Sequence, residues 1–123
     1  MILPQINERL ELLYSTRDCK DYITIHTGYT IEGDPVSFHF IQEDDKYARI
    51  TTNRSFSEWM ACCTGDWKKA TPTIERLAGI YAVGWDPEDG VLFIRFRRNE
   101  MTLAQAIMRL QQAVYVVGSL GPF

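Results

Sequence analysis

The strongest constraint on the fold is the pattern of residues 91–123, in which strand spacing gives way to helical spacing. Val91–Arg97 is a run of β-branched, aromatic and arginine residues that predicts a strand. Thr102, with Gln105 three residues later, forms a capping-box pattern that predicts a helix start. This helix is expected to reach about residue 120, with a core stripe made of Leu103, Ile107, Leu110, Val114 and Val117. Such a strand and helix require a packed domain.

Length and composition predict one soluble globular domain over residues 1–123. A chain of 123 residues is of ordinary domain size and buries enough surface to fold without metals or disulfides. The hydrophobic fraction of 46% and the charged fraction of 24% are both usual for this class. The net charge of -3 disfavours a sequence-independent nucleic-acid binder, because such proteins need excess Lys and Arg to displace phosphate counterions.

The cysteines and the apolar runs predict a cytoplasmic protein. The chain has an odd number of cysteines, and two of them are adjacent: Cys19, Cys62 and Cys63. Because this makes a poor disulfide framework, we expect a reducing compartment. The first residues show no basic stretch followed by an apolar run, so we expect no secretory signal. Since no stretch approaches roughly 18 uninterrupted apolar residues, no membrane span is expected.

Periodicity along the chain predicts an α+β fold. In chain order we expect a helix over 4–14, a polar connection over 15–20, strands at 22–25, 36–40 and 47–52, short helices starting at the Ser55/Glu58 capping box and at Thr71-Pro72, strands at 81–85 and 91–97, and the last helix. The strands come in runs joined by tight turns. The sheet should therefore be antiparallel, with about five strands in the order α-βββ-α(α)-ββ-α and helices packed on one face.

Metal sites, cofactors and catalytic residues are not expected. The soft-ligand candidates are His26, His39, Cys62 and Cys63, and they lack the C-x-x-C and H-x-x-x-H spacings of zinc sites. A Cys–His pair is conceivable as a nucleophile and its base. Nothing in the sequence near either of the adjacent cysteines activates a thiol, so a small core residue is the favoured interpretation.

A divalent-metal nuclease is the enzymatic alternative. Asp34 precedes a predicted strand, and Asp44 and Lys46 form a D-x-K triplet ten residues later. The pattern resembles the split acid and (D/E)-x-K motif of metal-dependent nucleases. That resemblance implies two carboxylates holding Mg²⁺ while Lys46 stabilises a developing negative charge. The competing interpretation is a solvated hairpin turn.

A basic group in the second strand run allows two interpretations. Arg95, Arg97 and Arg98 follow Phe93, which is the arrangement of a phosphate-binding strip with an interleaved aromatic residue. The favoured alternative is the solvent face of an antiparallel strand, where arginine stems cover apolar surface. Whether this strip binds phosphate is left open by the sequence.

Acidic residues cluster in two predicted hairpin turns. The first turn holds Glu43, Asp44 and Asp45, and the second holds Asp86, Glu88 and Asp89. If both turns lie at one end of the sheet, they form a negative patch that steers a partner toward the protein. Otherwise they are two solvated turns.

The large aromatic residues exceed what a core of this size needs. We expect some of them at the surface, where aromatic groups rimmed by charge are typical of protein–protein contacts. The predicted contacts are Trp59, Trp67, Trp85 and Phe93, with the acidic turn Glu43, Asp44 and Asp45 supplying steering charge.

Part of the chain resembles an uncharacterised bacterial and phage domain family of unknown function. The resemblance rests on HTGYTIEGDPVSFHF from His26 and on YARITT from Tyr47, and it covers about residues 22–120. The family shows a T-D-x-G turn before a helix. This chain has Thr51-Thr52-Asn53-Arg54 there, so an acid-dependent role of that turn does not carry over. A bacterial cell or a phage-infected host is the expected setting.

The order of elements is also similar to that of the bacterial type III secretion chaperones. The run GVLFIRF from Gly90, a capped turn and a long helix carry this likeness. It implies an ATP-independent homodimer that binds a partner polypeptide through exposed apolar patches, and it is a fold-level analogy.

The sequence therefore predicts a non-enzymatic protein-binding module, either a chaperone-like adaptor or a phage-type inhibitor of a bacterial host complex. Its expected partner is another protein, and it is expected to be a homodimer. Two alternatives are kept: a nucleic-acid-binding protein or nuclease using Asp34, Asp44 and Lys46, and a structural self-assembling subunit.

Overall fold

A computed structural model describes residues 15–18, 22–31, 34–65 and 67–119. Within these ranges the elements are β1 (Ser15–Asp18), β2 (Ile23–Ile31), β3 (Asp34–Gln42), β4 (Tyr47–Thr52), α1 (Arg54–Thr64), α2 (Trp67–Ile80), β5 (Gly84–Asp86), β6 (Val91–Arg97) and α3 (Leu103–Gly118). The helix predicted over 4–14 lies outside the described residues. Of the helices described, none is both long and apolar enough to cross a membrane.

The strands form one antiparallel sheet in the order β1-β2-β3-β4-β6-β5. The predicted α+β class is confirmed. The described sheet has six strands rather than about five, because part of the predicted polar connection is β1, in which Thr16 lies opposite Ile25. The residues of β1 show no apolar alternation, and backbone pairing at a sheet edge does not require it.

Every second residue of the central strands faces the hydrophobic core. The register places Ile50 between Phe40 and Ile94, so these three buried side chains share one face of the sheet. The helices supply buried residues to the same core, among them Met60, Ile74, Ile107, Leu110 and Val117. The prediction that the helices pack on one face is therefore confirmed.

The start of α1 differs from the predicted capping box. Asn53 is the N-cap, and its side-chain oxygen accepts a hydrogen bond from the Phe56 amide at 3.2 Å. Ser55 lies inside the first turn, and the Glu58 carboxylate pairs with Arg54 at 3.1 Å instead of reaching back. The prediction was wrong because two polar residues near one helix start compete for the cap.

The start of α3 confirms its predicted capping box. The Thr102 hydroxyl accepts from the Gln105 amide at 3.2 Å, and the Gln105 side-chain oxygen accepts from the Thr102 amide at 2.9 Å. The helix then follows directly from β6 after a short turn, as the sequence pattern requires.

Other bounds were also predicted wrongly. β2 runs to Ile31 instead of ending at residue 25, and β3 spans Asp34–Gln42 instead of residues 36–40. α2 begins at Trp67 instead of Thr71, with Pro72 inside the helix, and the Thr71 hydroxyl donates to the Trp67 carbonyl at 3.1 Å. The strand predicted over 81–85 begins three residues late, because Ala82 has a φ of 57°, which an extended strand cannot include.

Candidate functional site

The strand residues that point away from the core form a second surface, which we call the open face. It consists of Thr24, His39, Ile41, Tyr47, Arg49, Thr51, Val91, Phe93, Arg95 and Arg97. All ten are partly or fully exposed, and they belong to neither the buried core nor the residues packed against it. The described helices lie against the opposite face. The open face is therefore the candidate functional site.

Two arginines face each other on the open face. The register of β4 and β6 places Arg49 directly opposite Arg95, an arrangement in which like charges repel. The Glu43 carboxylate relieves this repulsion, since its oxygens lie 2.7 Å from Arg95 Nε and 3.7 Å from Arg49 Nε. Its hydrogen bond raises the pKa of Arg95. The result is a pair of guanidinium groups joined by one carboxylate.

Tyr47 organises the neighbouring guanidinium groups. Its ring centroid lies 4.0 Å from Arg95 Cζ and 5.6 Å from Arg97 Cζ, both within cation–π range. Arg97 Nη1 also lies 3.7 Å from a carboxylate oxygen of Glu100, in the turn after β6. Two guanidinium groups, those of Arg95 and Arg97, thus lie over the Tyr47 ring, and Arg95 also pairs with Glu43.

The histidine of the open face is a packing contact and adds no positive charge to this surface. His39 packs against Tyr22 with ring centroids 4.3 Å apart and the rings tilted by 33°, and burial lowers the pKa of His39 below its ordinary value. Its imidazole is therefore neutral near pH 7. The positive charge of the open face comes from the arginines.

Phe93 is a fixed aromatic surface. Its ring lies directly on the backbone of Gly84, where an added Cβ would come within 2.6 Å of the ring. The register places Gly84 on one side of Phe93 and Thr51 on the other. A glycine in β5 is what lets the ring lie close against the sheet.

A groove of about 790 Å³ runs from the open face over the ends of β4 and β6. At the sheet end its lining includes Ile41, Arg49 and Phe93. At the other end, between α1 and the β5–β6 turn, it includes Glu58 and Asp86. The groove has the volume of a typical ligand site, and both apolar and charged side chains line it, including the Arg54–Glu58 ion pair near α1.

The predicted tryptophan contacts are only partly at the surface. Trp85 is 7% exposed and donates its indole N–H to the Thr71 hydroxyl at 3.1 Å, so it is a core residue and its prediction as a surface contact is corrected. Trp67 is half-buried at the far end of the groove and donates to the Pro87 carbonyl at 2.5 Å. Trp59 packs against the core. Of the four predicted aromatic contacts, Phe93 is the one on the open face.

The two acidic turns lie at opposite ends of the sheet. The β3–β4 turn lies beside Arg97 at one end of β6, and the β5–β6 turn precedes Val91 at the other end. The length of β6 separates the two turns by about 20 Å. They therefore form no common negative patch, contrary to one of the two expectations. Glu43 reaches the open face, whereas Asp45 is simply exposed.

Asp44 has a structural role in the β3–β4 turn. Its Oδ1 accepts hydrogen bonds from the amides of Lys46 at 2.8 Å and Tyr47 at 2.7 Å. These two donors, Tyr47 first, hold the pKa of Asp44 below its ordinary value. The carboxylate thus fixes the turn from which β4 starts.

The residues of the nuclease alternative are not brought together. Asp34 begins β3, and Asp44 lies beyond its other end, so the nine-residue strand separates them by roughly 27 Å. Asp44 and Lys46 share a turn, but two carboxylates at this separation cannot hold one ion. Across the residues described, no group of three His, Cys, Asp or Glu side chains is placed to hold a metal.

Sequence reasoning missed Arg49 and Tyr47 as site residues. Both were assigned correctly to a strand, but their partners lie on β6, almost fifty residues later. Two runs of alternating residues that each contain arginine were the available signal, and only the register shows that they share a face.

Comparison with known proteins identifies no relative of this chain. This chain matches no protein-family model, no curated protein and no solved structure. The candidate site therefore rests on its own geometry and chemistry.

Proposed function

We propose that this protein is a non-enzymatic protein-binding module that holds a segment of a partner polypeptide on its open face. The observation that carries this proposal is the Arg49–Glu43–Arg95 group beside Phe93, on the face of the sheet opposite the helices. A chaperone-like adaptor or a phage-type inhibitor of a bacterial host complex, acting in the cytoplasm of a bacterial cell or a phage-infected host, is the form of this activity that the sequence favours.

The chemistry of the open face favours an acidic and apolar partner segment. Phe93 and Ile41 offer apolar surface. Arg49 and Arg95 offer guanidinium groups, of which that of Arg95 is held in place by a hydrogen bond to Glu43. Arginine binds carboxylates through paired hydrogen bonds, and aromatic residues with arginine dominate the energy of protein interfaces. A partner carboxylate would share the guanidinium groups with Glu43.

Single-stranded nucleic acid is the second candidate, and the stack of Arg95 on Tyr47 favours it. Exposed aromatic residues and arginines on an open sheet are also what bases and phosphates bind. Two carboxylates oppose it. Glu43 already pairs with Arg95, and Asp86 lines the groove, where it would repel phosphates. The net charge of -3 acts in the same direction.

Site-specific photo-crosslinking in the native cell tests the proposal. A photoreactive amino acid replaces Phe93 in one variant and Arg76, exposed on α2, in the control. We expect one defined adduct from position 93 that protease removes and nuclease does not, and no such adduct from position 76. Adducts that nuclease removes would establish the nucleic-acid candidate instead. Equal labelling at both positions would refute a binding role for the open face.

A further inference from the structure

Two rings flank a small residue in the middle of the open face. The register places Thr51 of β4 between His39 of β3 and Phe93 of β6. Neighbouring strands lie about 4.8 Å apart, so the backbones that carry the two rings are separated by roughly 10 Å. Because Thr51 is smaller than either ring, a slot lies above it. We call it the Thr51 slot; His39 and Phe93 are its walls, Thr51 is its floor, and all three are half-buried and line the groove.

Both walls of the Thr51 slot are supported from outside. Phe93 lies on Gly84 of β5, the strand on the far side of β6 from Thr51. His39 packs against Tyr22, which directly precedes β2, the strand on the far side of β3 from Thr51. Each ring is therefore held by its outer neighbour and leaves the space above Thr51 open. Binding in a preformed slot costs little, because the walls need no reordering.

Arg49 is the charged residue beside the slot. It lies two residues before Thr51 on β4, so both side chains leave the same face of the sheet. Its Nε lies 3.7 Å from Glu43, is hidden from solvent and has no hydrogen-bond acceptor among the described residues. The side chain is nevertheless 43% exposed, so the terminal nitrogens, and not Nε, are the donors that a ligand in the groove reaches. Arg95, by contrast, donates to Glu43 at 2.7 Å and is not among the residues that line the groove.

We propose that the Thr51 slot takes an apolar side chain of an extended partner segment, while Arg49 binds the carboxylate of an Asp or Glu two residues away in that segment. This inference rests on the proposed function and specifies what the open face recognises. Two residues of a strand span about 6.7 Å, which is the spacing between Arg49 and Thr51 along β4. Residues i and i+2 of an extended partner segment have the same spacing and share one face. The recognised pattern is therefore an acidic and an apolar residue separated by one position, lying along β4.

The chemistry around the slot favours a polypeptide over a nucleic acid. A guanidinium end binds one carboxylate through two parallel hydrogen bonds, and the terminal nitrogens of Arg49 offer this geometry. Glu43 offsets part of the positive charge beside the slot, which disfavours a chain of phosphates. Neither wall is charged, because burial lowers the pKa of His39 and leaves its ring neutral near pH 7. An apolar side chain thus meets uncharged walls, and the neighbouring carboxylate meets a guanidinium group.

Photo-crosslinking in the native cell from a photoreactive phenylalanine derivative at position 93, which keeps an aromatic wall, tests the slot. In this background Thr51→Trp fills the slot and Arg49→Gln removes the charge beside it. We expect each change to lower the yield of the protein adduct at least about tenfold. Two controls should crosslink like the unsubstituted protein. Thr51→Val keeps the size of the floor, and Arg54→Gln removes the charge of a groove arginine that pairs with Glu58 at 3.1 Å.

Mass spectrometry of the adduct identifies the partner segment, which should contain an acidic residue two positions from an apolar one. Thr51 and Arg49 lie on the face opposite the core, so circular dichroism should show native folding for both variants. The slot is refuted, and the protein-binding function stands, if either variant crosslinks like the unsubstituted protein or if the segment contains no acidic residue. Absence of a protein adduct from position 93, or an adduct that nuclease removes, refutes the proposed function and this inference with it.

Discussion

At the scale of single residues, the electrostatics of the open face depend most on Glu43. Its carboxylate lies between Arg49 and Arg95, which face each other across neighbouring strands. It offsets their repulsion and holds the Arg95 guanidinium through a hydrogen bond at 2.7 Å. The same residue keeps this face from being an unopposed cluster of cations, and this is why we propose a partner with its own apolar contacts rather than a bare polyanion.

Glu43→Gln should lower the free energy of unfolding slightly. The amide keeps the size of the side chain but no longer offsets the repulsion between Arg49 and Arg95. Because the charges are partly exposed, the loss should shrink as salt is raised. Urea denaturation at low and high salt measures it, with Glu75→Gln on α2 as the matched control. A loss that does not respond to salt would show that charge is not its cause.

Trp85 should prove to be a core residue rather than a contact. Trp85→Ala removes a 7% exposed ring and the hydrogen bond to Thr71, so we expect a loss of about 3–5 kcal/mol in the free energy of unfolding. Chemical denaturation gives the value. Tyr115→Ala, which changes a ring that is 70% exposed, should leave stability nearly unchanged. A small effect at Trp85 would contradict its place in the core.

The site residues found from sequence are those whose position depends on local pattern. Phe93 follows from the alternation within β6, and Glu43 from the turn composition. Trp85 was misplaced because a count of aromatic residues does not tell which of them are buried. Arg49 was missed because only the pairing of β4 with β6 brings it to Arg95.

At the scale of elements, the start of α1 can be tested by two substitutions two residues apart. Asn53→Ala removes the side-chain oxygen that accepts from Phe56, and it should cost about 1 kcal/mol of stability. Ser55→Ala, at the cap position predicted from sequence, should be close to neutral. Thermal or urea denaturation compares the two. If Ser55→Ala is the more damaging change, the helix starts where the sequence alone predicted.

The β3–β4 hairpin should weaken in acid through Asp44. The amides of Tyr47 and Lys46 lower the pKa of this carboxyl, so its stabilisation is complete above the ordinary pKa near 4 and is lost as pH falls through the lower folded value. Asp44→Asn keeps an accepting oxygen and should flatten the dependence. The amide chemical shifts of Lys46 and Tyr47, followed against pH by NMR, report it. Asp45→Asn should titrate as wild type does.

Among the elements, those with strong internal periodicity could be predicted and those set by their neighbours could not. β4, β6 and α3 each bury alternate or helically spaced residues, which is a local signal. β1 forms because its backbone pairs with the edge of β2, and β5 is shortened by the left-handed backbone conformation of Ala82. The spacing of apolar residues predicts neither feature.

At the scale of the whole molecule, the fold separates the two faces of its sheet. The helices cover one face, while the opposite face carries the arginines and Phe93. The hydrophobic core and the candidate site therefore lie on opposite sides of one sheet.

The most direct test of the central claim is the affinity of the crosslinked polypeptide for charge-reversed protein. Titration calorimetry compares wild type with Arg95→Glu on the open face and with Arg76→Glu on α2, which carries the same change of charge elsewhere. We predict that Arg95→Glu weakens binding at least about tenfold, while Arg76→Glu binds like wild type. Equal affinities for all three proteins would contradict the proposal that the open face holds the partner.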